Sequence, residues 1–344
     1  MGRRTYSDSD LLKTKKAIKD SGKDTFARTA DIQQGRTEAT CHEKLSIAEE
    51  FRRNRESRDS DAHPKSNAVA LWFDVTGSLL NVPKELEPNL KDLMGYFLNK
   101  DYLPDVAVMF SAVGDSTCDR VPFQVGQFET GAQELMNFFQ RVYLEGGGGG
   151  QNTESYQNVL YYMARHTQID CFEKRGKKGY LIMFGDELPY DEVRASEVKD
   201  LMDGFGPDEN IPLKKIIEEA RKKYVVIYII PRETSNGRDP EIWSTWQRLL
   251  GEEFVLGMEK TSQICELVGA IVGVCEGKVS SQEAVENLKK KGVSKEYLEI
   301  VQKAFVKLYG INEDKKARTA TSITPPTTKD KEPKKDKKNS GLKV

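Results

Sequence analysis

ALWFDVTGSLLNVP, residues 70–83, is the stretch whose reading decides the fold. An apolar run ends in Asp74, and Thr76 and Ser78 follow at two-residue steps with Gly77 between them. Apolar residues without polar alternation predict a strand covered on both faces. Asp74 then stands at the tip of a buried strand. A carboxylate in that place, with two hydroxyls beside it, suits either a nucleophile that accepts phosphate or one corner of a metal site.

Similar runs recur along the chain: DVAVMFSAV (105–113), YLIMFG (180–185), YVVIYII (224–230) and EEFVLGM (252–258). Helix-like segments at 83–99, 131–143, 154–168, 212–223 and 239–250 separate them. This alternation predicts an α/β fold, a doubly wound, mostly parallel and Rossmann-like sheet with helices on both faces. The stretch VPFQVGQFE (121–129) follows the second run too closely for a helical crossover, so it reads as one short antiparallel edge strand.

Outside this body, residues 1–65 read as a charged, partly helical arm. Leu45, Ile47, Ala48 and Phe51 are placed on one face of a helix within residues 42–57. The body spans 66–275. Residues 276–311 read as a helical pair, with Ser280 and Glu283 as a capping box, Gly292 as a stop and Ser294 as the second cap. Residues 312–344 are Lys-rich, almost without large apolar side chains, and are expected to be disordered.

The near-zero net charge conceals a segregation. Residues 1–65 carry 15 Lys/Arg against 12 Asp/Glu, residues 312–344 carry 10 against 5, and the middle holds 28 against 37. An acidic body argues against a specific nucleic-acid partner. No run has the length of a membrane span and no signal-peptide core is read at the start, so a cytoplasmic protein without membrane attachment is expected. Cys41, Cys118, Cys171, Cys265 and Cys275 form no C-x-x-C pair and read as reduced thiols. His42, His63 and His166 are scattered, and Trp243 and Trp246 read as packing residues.

Ligands of open α/β sheets bind beyond the carboxyl ends of the strands. Three segments fall there: Asp74 to Ser78, the glycine run of LEGGGGGQNTESYQNVL (144–160), and MFGDELPYD (183–191) with Asp186 ending a strand. Oxygen-only donors of this kind suit a hard cation, Mg2+ or Mn2+.

The D-x-T-x-S spacing, the glycine-rich loop with Thr153 and the strand-ending Asp186 together resemble the metal-ion-dependent adhesion site (MIDAS) of the von Willebrand factor type A (vWA) domain family, over about residues 69–275. Thr76 stands where that family's D-x-S-x-S has serine, keeping the hydroxyl. The resemblance implies direct metal ligation by Thr76 and Ser78, with Asp74 and Asp186 bonding to the ion or its waters. Either Thr153 or Glu154 takes the second-loop position. It implies a metal-dependent protein–protein interaction module without catalytic activity, whose ion accepts a carboxylate from a partner protein. Intracellular members work beside AAA+ ATPases of the MoxR type, so an adaptor role for such an ATPase is a further expectation. FDVTGSLL and FGDELPYD are also similar to motifs of the haloacid dehalogenase-like superfamily. That alternative implies a Mg-dependent phosphohydrolase with Asp74 as nucleophile and Asp186 and Asp191 holding the cation.

Overall fold

The computed structural model describes residues 5–147 and 152–312. Most of the glycine run, from Gly148 to Gln151, and the Lys-rich tail from Glu313 lie outside the described residues, and with the latter the expectation of a disordered tail.

The central sheet has six strands: β1 (Asn67–Asp74), β2 (Val106–Val113), β3 (Phe123–Val125), β4 (Gly179–Phe184), β5 (Tyr224–Pro231) and β6 (Val255–Met258). Their order is β6-β5-β4-β1-β2-β3. Every residue of β1 is buried, as the unbroken apolar run requires. Register pairs Asp74 with Val113 of β2 and Phe73 with Phe184 of β4, so all three strands end at one edge.

The doubly wound, mostly parallel Rossmann-like sheet expected from the sequence is corrected to an α/β fold built on a mixed sheet. β3 runs antiparallel to β2, while the other neighbours are parallel. Only nine residues lie between β2 and β3, too few for a crossover helix. Among the described residues, three two-stranded ladders and thirteen α-helices accompany the sheet, more than one helix per crossover. Pattern reading merged some of these elements. The helix expected over 83–99 is broken into Asn81–Leu86, Leu90–Met94 and a π-turn over Gly95–Asn99, with Pro88 at the first break.

The arm differs most from its reading. The helix expected within 42–57 is not formed; that stretch has a 3-10 turn at Glu50–Arg52 and a short strand at Arg55–Ser57. Leu45 and Ile47 are buried at two-residue spacing, and the Val125 amide bonds the Leu45 carbonyl at 2.8 Å. The segment turns at residues 43–45, where the Leu45 and Ser46 amides bond the His42 carbonyl, and docks that turn on the outer edge of β3. Helices lie upstream instead, at α1 (Asp8–Asp20) and α2 (Ala27–Gln33). In α2, the Thr29 hydroxyl donates to the Val142 carbonyl and accepts from the Leu144 amide, both at 3.0 Å. Those bonds hold the chain just before the glycine run.

Helices α3 (Ala132–Arg141) and α4 (Tyr156–Arg165) cover the sheet. Phe138 of α3 lies against Phe73, and Tyr162 of α4 against Trp72, on opposite faces of β1. Farther along, the helix Ser281–Lys290 starts with the Ser280 hydroxyl accepting from the Glu283 amide. The next, Lys295–Leu308, starts with Ser294 accepting from the Tyr297 amide.

Arg55 ties the arm to the sheet edge. Only 2% exposed, it directs its guanidinium N–H groups to the carbonyls of Ser46, Arg52, Asn54, Val125 and Gly126. Replacing it with methionine leaves five carbonyls short of a donor. Arg55→Met is expected to cost about 3 kcal/mol or more, measured by urea unfolding.

Asp170 holds the other end of this segment. It accepts from Arg58 at 2.9 Å, the Asp59 amide at 2.8 Å and Lys174 at 2.7 Å. Burial pushes its carboxyl upward, but the bonds from Lys174, Asp59 and Arg58 outweigh that and hold it at about 2, below the ordinary 3.8. A folded value below the unfolded one stabilises above the unfolded pKa and is lost as pH falls through the folded one. Between about pH 4 and pH 2, Asp170→Asn is therefore expected to lose melting temperature less steeply than the wild type.

Candidate functional site

Asp74 is the last residue of β1 and has no exposed surface. Beyond it the chain turns through Gly77, whose φ of +45° lies where glycine is preferred, into a 3-10 turn over Gly77–Leu80. The turn brings Thr76 back over the strand end. Its amide and hydroxyl both donate to Asp74 Oδ1, at 2.9 and 2.6 Å. Tyr156, in the first turn of α4, donates its hydroxyl to Asp74 Oδ2 at 2.7 Å. Both carboxylate oxygens are thus engaged. Ser78 lies in the same turn; its side chain is outside the described residues.

The segment after the glycine run does not begin a helix at residue 154. Thr153 and Glu154 form a two-residue parallel strand with Leu188 and Pro189. Strand geometry sends the two side chains to opposite sides. Glu154, 3% exposed, places Oε1 3.4 Å from the Thr76 hydroxyl. Thr153 is half-buried and hydrogen-bonds with Tyr190 instead. Glu154 Oε2 is buried and has no hydrogen-bond partner among the described residues.

Asp186 stands two residues beyond β4 and is 3% exposed. Its Oδ2 accepts from the Asn236 amide at 3.2 Å, and Thr234 hydrogen-bonds it as well. It reaches Asp74 through its charge, while its bonded contacts lie with the loop after β5. Asp191 is exposed, and its backbone carbonyl takes the Leu213 amide.

Burial dominates the electrostatics. It raises the Asp74 carboxyl, against hydrogen bonds from Thr76 and Tyr156 that lower it, and the Asp186 charge adds to the rise. Glu154 is raised further, by burial first and then by Asp74, Glu187, Asp119 and Asp115. Glu187 is pushed up to about 8 by burial, with Asp74 and Asp186 adding. The charged groups that act most on these three carboxyls are all acidic.

Sequence reasoning missed the supports of the site. Tyr228 stacks on Trp246 at 3.8 Å, and Tyr156 meets both edge-on at 5.4 and 5.5 Å. Tyr228 and Trp246 both donate to the Glu187 carbonyl, at 3.2 and 2.9 Å. The Trp243 and Trp246 spacing gave a packing signal but no indication of where the packing lies. A neighbouring turn repeats the first: Asp115 Oδ1 accepts from the Thr117 amide and hydroxyl at 2.8 Å, and Tyr190 donates to Oδ2 at 2.9 Å. The D-x-T spacing at 115–117 carried that signal in the sequence. Among the described residues, no three His, Cys, Asp or Glu side chains stand as a group able to hold a metal. The donors that meet are Asp74, Glu154 and the Thr76 hydroxyl.

No protein-family model matches the chain, and no curated protein matches it. Among solved structures, the pilus adhesin SpaC from Lactobacillus rhamnosus GG in its open conformation is similar over 64% of this chain and 31% of its own, with 11% identity and a TM-score of 0.42. Proximal thread matrix protein 1 from the mussel byssus is similar over 60% of this chain and 45% of its own, with 14% identity and a TM-score of 0.36. The matched part is less than half the length of either protein. No helix among the described residues is long and apolar enough to cross a membrane.

Gly185 tests how tightly the site is built. A Cβ there would lie 2.1 Å from the Tyr156 hydroxyl and 2.5 Å from that of Tyr228. Both rings are fully buried and cannot yield cheaply. Gly185→Ala is expected to displace Tyr156 from Asp74 and to cost about 1–3 kcal/mol of stability, read by urea unfolding.

Proposed function

We propose that this chain is a metal-dependent protein-binding module of the vWA kind, holding Mg2+ through Asp74, Thr76, Ser78, Glu154 and Asp186. The observation that carries the reading is the meeting of Asp74, Thr76 and Glu154 where β1 ends, with Glu154 Oε2 buried and unpartnered. A buried carboxylate oxygen without a donor is costly unless something positive satisfies it. The donors are oxygens only, hydroxyl and carboxylate mixed, which is the chemistry a hard cation takes. Between the two second-loop candidates the reading takes Glu154, because Thr153 is turned to Tyr190.

When bound, the cation supplies an electrophilic position open to a carboxylate oxygen from a partner. The protein's own groups do the rest. Thr76 and Tyr156 orient Asp74, the Thr153–Glu154 ladder fixes Glu154, and Thr234 with Asn236 steadies Asp186. The partner is an acidic protein surface, an AAA+ ATPase of the MoxR type being the one the resemblance suggests. A cytoplasmic location goes with this reading, supported by five cysteines that are all unpaired.

The phosphohydrolase alternative has less support. Asp74 is fully buried with both oxygens hydrogen-bonded, a poor disposition for attack on phosphorus, and Asp191 is exposed.

Calorimetric titration of the full chain with MgCl2 is expected to show one site, weakened about tenfold or more by Asp74→Asn and by Ser78→Ala. Failure of the wild type to bind Mg2+ would sink the proposal. So would Mg-dependent hydrolysis of a generic phosphate ester that Asp74→Asn abolishes, which would establish the alternative.

A further inference from the structure

Resting on that reading, we infer that Glu154 sets the selectivity of the site: it is a direct anionic ligand that strengthens cation binding and weakens the hold on a partner's carboxylate. Two observations carry this. Glu154 is 3% exposed with its backbone held in the ladder to Leu188–Pro189, so the carboxylate is fixed and cannot retreat to solvent. Its Oε1 lies 3.4 Å from the Thr76 hydroxyl while Oε2 has no hydrogen-bond partner among the described residues, beside the loop that carries the other donors.

Charge then decides the consequence. A set of hydroxyls with Asp74 and Asp186 balances a divalent ion and leaves it attractive to an external anion. Glu154 adds a third negative charge at short range. Cation affinity follows the number of charged ligands. An incoming carboxylate, in contrast, meets repulsion in surroundings of low dielectric. Asp115 and Asp119 also act on Glu154 in the same sense. The site would keep its ion in the absence of a partner and release the partner readily.

The test compares the full-length wild type with Glu154→Gln, which keeps the shape, and with Glu154→Thr, which shortens the side chain. Melting curves establish that each is folded, and either variant alone suffices. MgCl2 titration by calorimetry gives cation affinity. Glutarate titration of protein saturated with Mn2+, followed by water-proton relaxation, gives the hold on an external carboxylate. The expected result is Mg2+ affinity reduced about tenfold or more, with glutarate bound several-fold more tightly. Unchanged or tighter Mg2+ binding, or glutarate binding that does not strengthen, overturns the role of Glu154 and leaves the cation site standing. Absence of Mg2+ binding in the wild type overturns the site itself and the inference with it.

Discussion

A carboxylate with no exposed surface at the end of the central strand is the constraint that the rest of the structure answers to. Taking Asp74 out of water is costly unless every lone pair finds a donor. Thr76 supplies an amide and a hydroxyl to one oxygen, and Tyr156 supplies its hydroxyl to the other. Tyr156 can do so only because its ring lies against Tyr228 and Trp246, and because residue 185 lacks a side chain. Trp246 and Tyr228 in turn hold the Glu187 carbonyl, which fixes the chain just after Asp186. One buried charge thus organises strands β1, β4 and β5 and the first turn of α4.

The arm serves the same end from a distance. By docking a turn on β3 and anchoring Arg55 among backbone carbonyls, it covers the open edge of the sheet. Thr29 fixes the segment leading into the glycine run, and the Thr153–Glu154 ladder fixes the chain on its far side. The ends of that loop are therefore held firmly, and Glu154 meets Thr76 from a defined direction.

Much of the strand content was legible in the residues, because a strand buried on both faces has to be apolar throughout. The runs at 68–73 and 224–230 show it plainly. Asp74 and Asp186 could be picked out, since polar residues ending apolar runs stand out, whereas Thr76 and the pair Thr153 or Glu154 were singled out by the resemblance. Less legible was the arm. Leu45 and Ile47 fit a helical stripe, yet Leu45 lies in a turn whose carbonyl bonds the edge of β3, a contact that local pattern does not show. The doubly wound reading failed in the same way, because local pattern does not count the helices and side ladders that a sheet gathers around it.

The succession of the main sheet strands along the chain and the buried setting of Asp74 at a strand end followed from the sequence alone, since each depends on hydrophobic spacing. The choice between Thr153 and Glu154 as the group beside Thr76 belonged to the tertiary structure. Adjacent residues on a strand face opposite ways, and which one faces inward is set by the register with Leu188 and Pro189, a pairing made across more than thirty residues of chain. The aromatic support under Asp74 was likewise decided in three dimensions, because Tyr156, Tyr228 and Trp246 come from separate elements and meet only when the sheet and helices close around them.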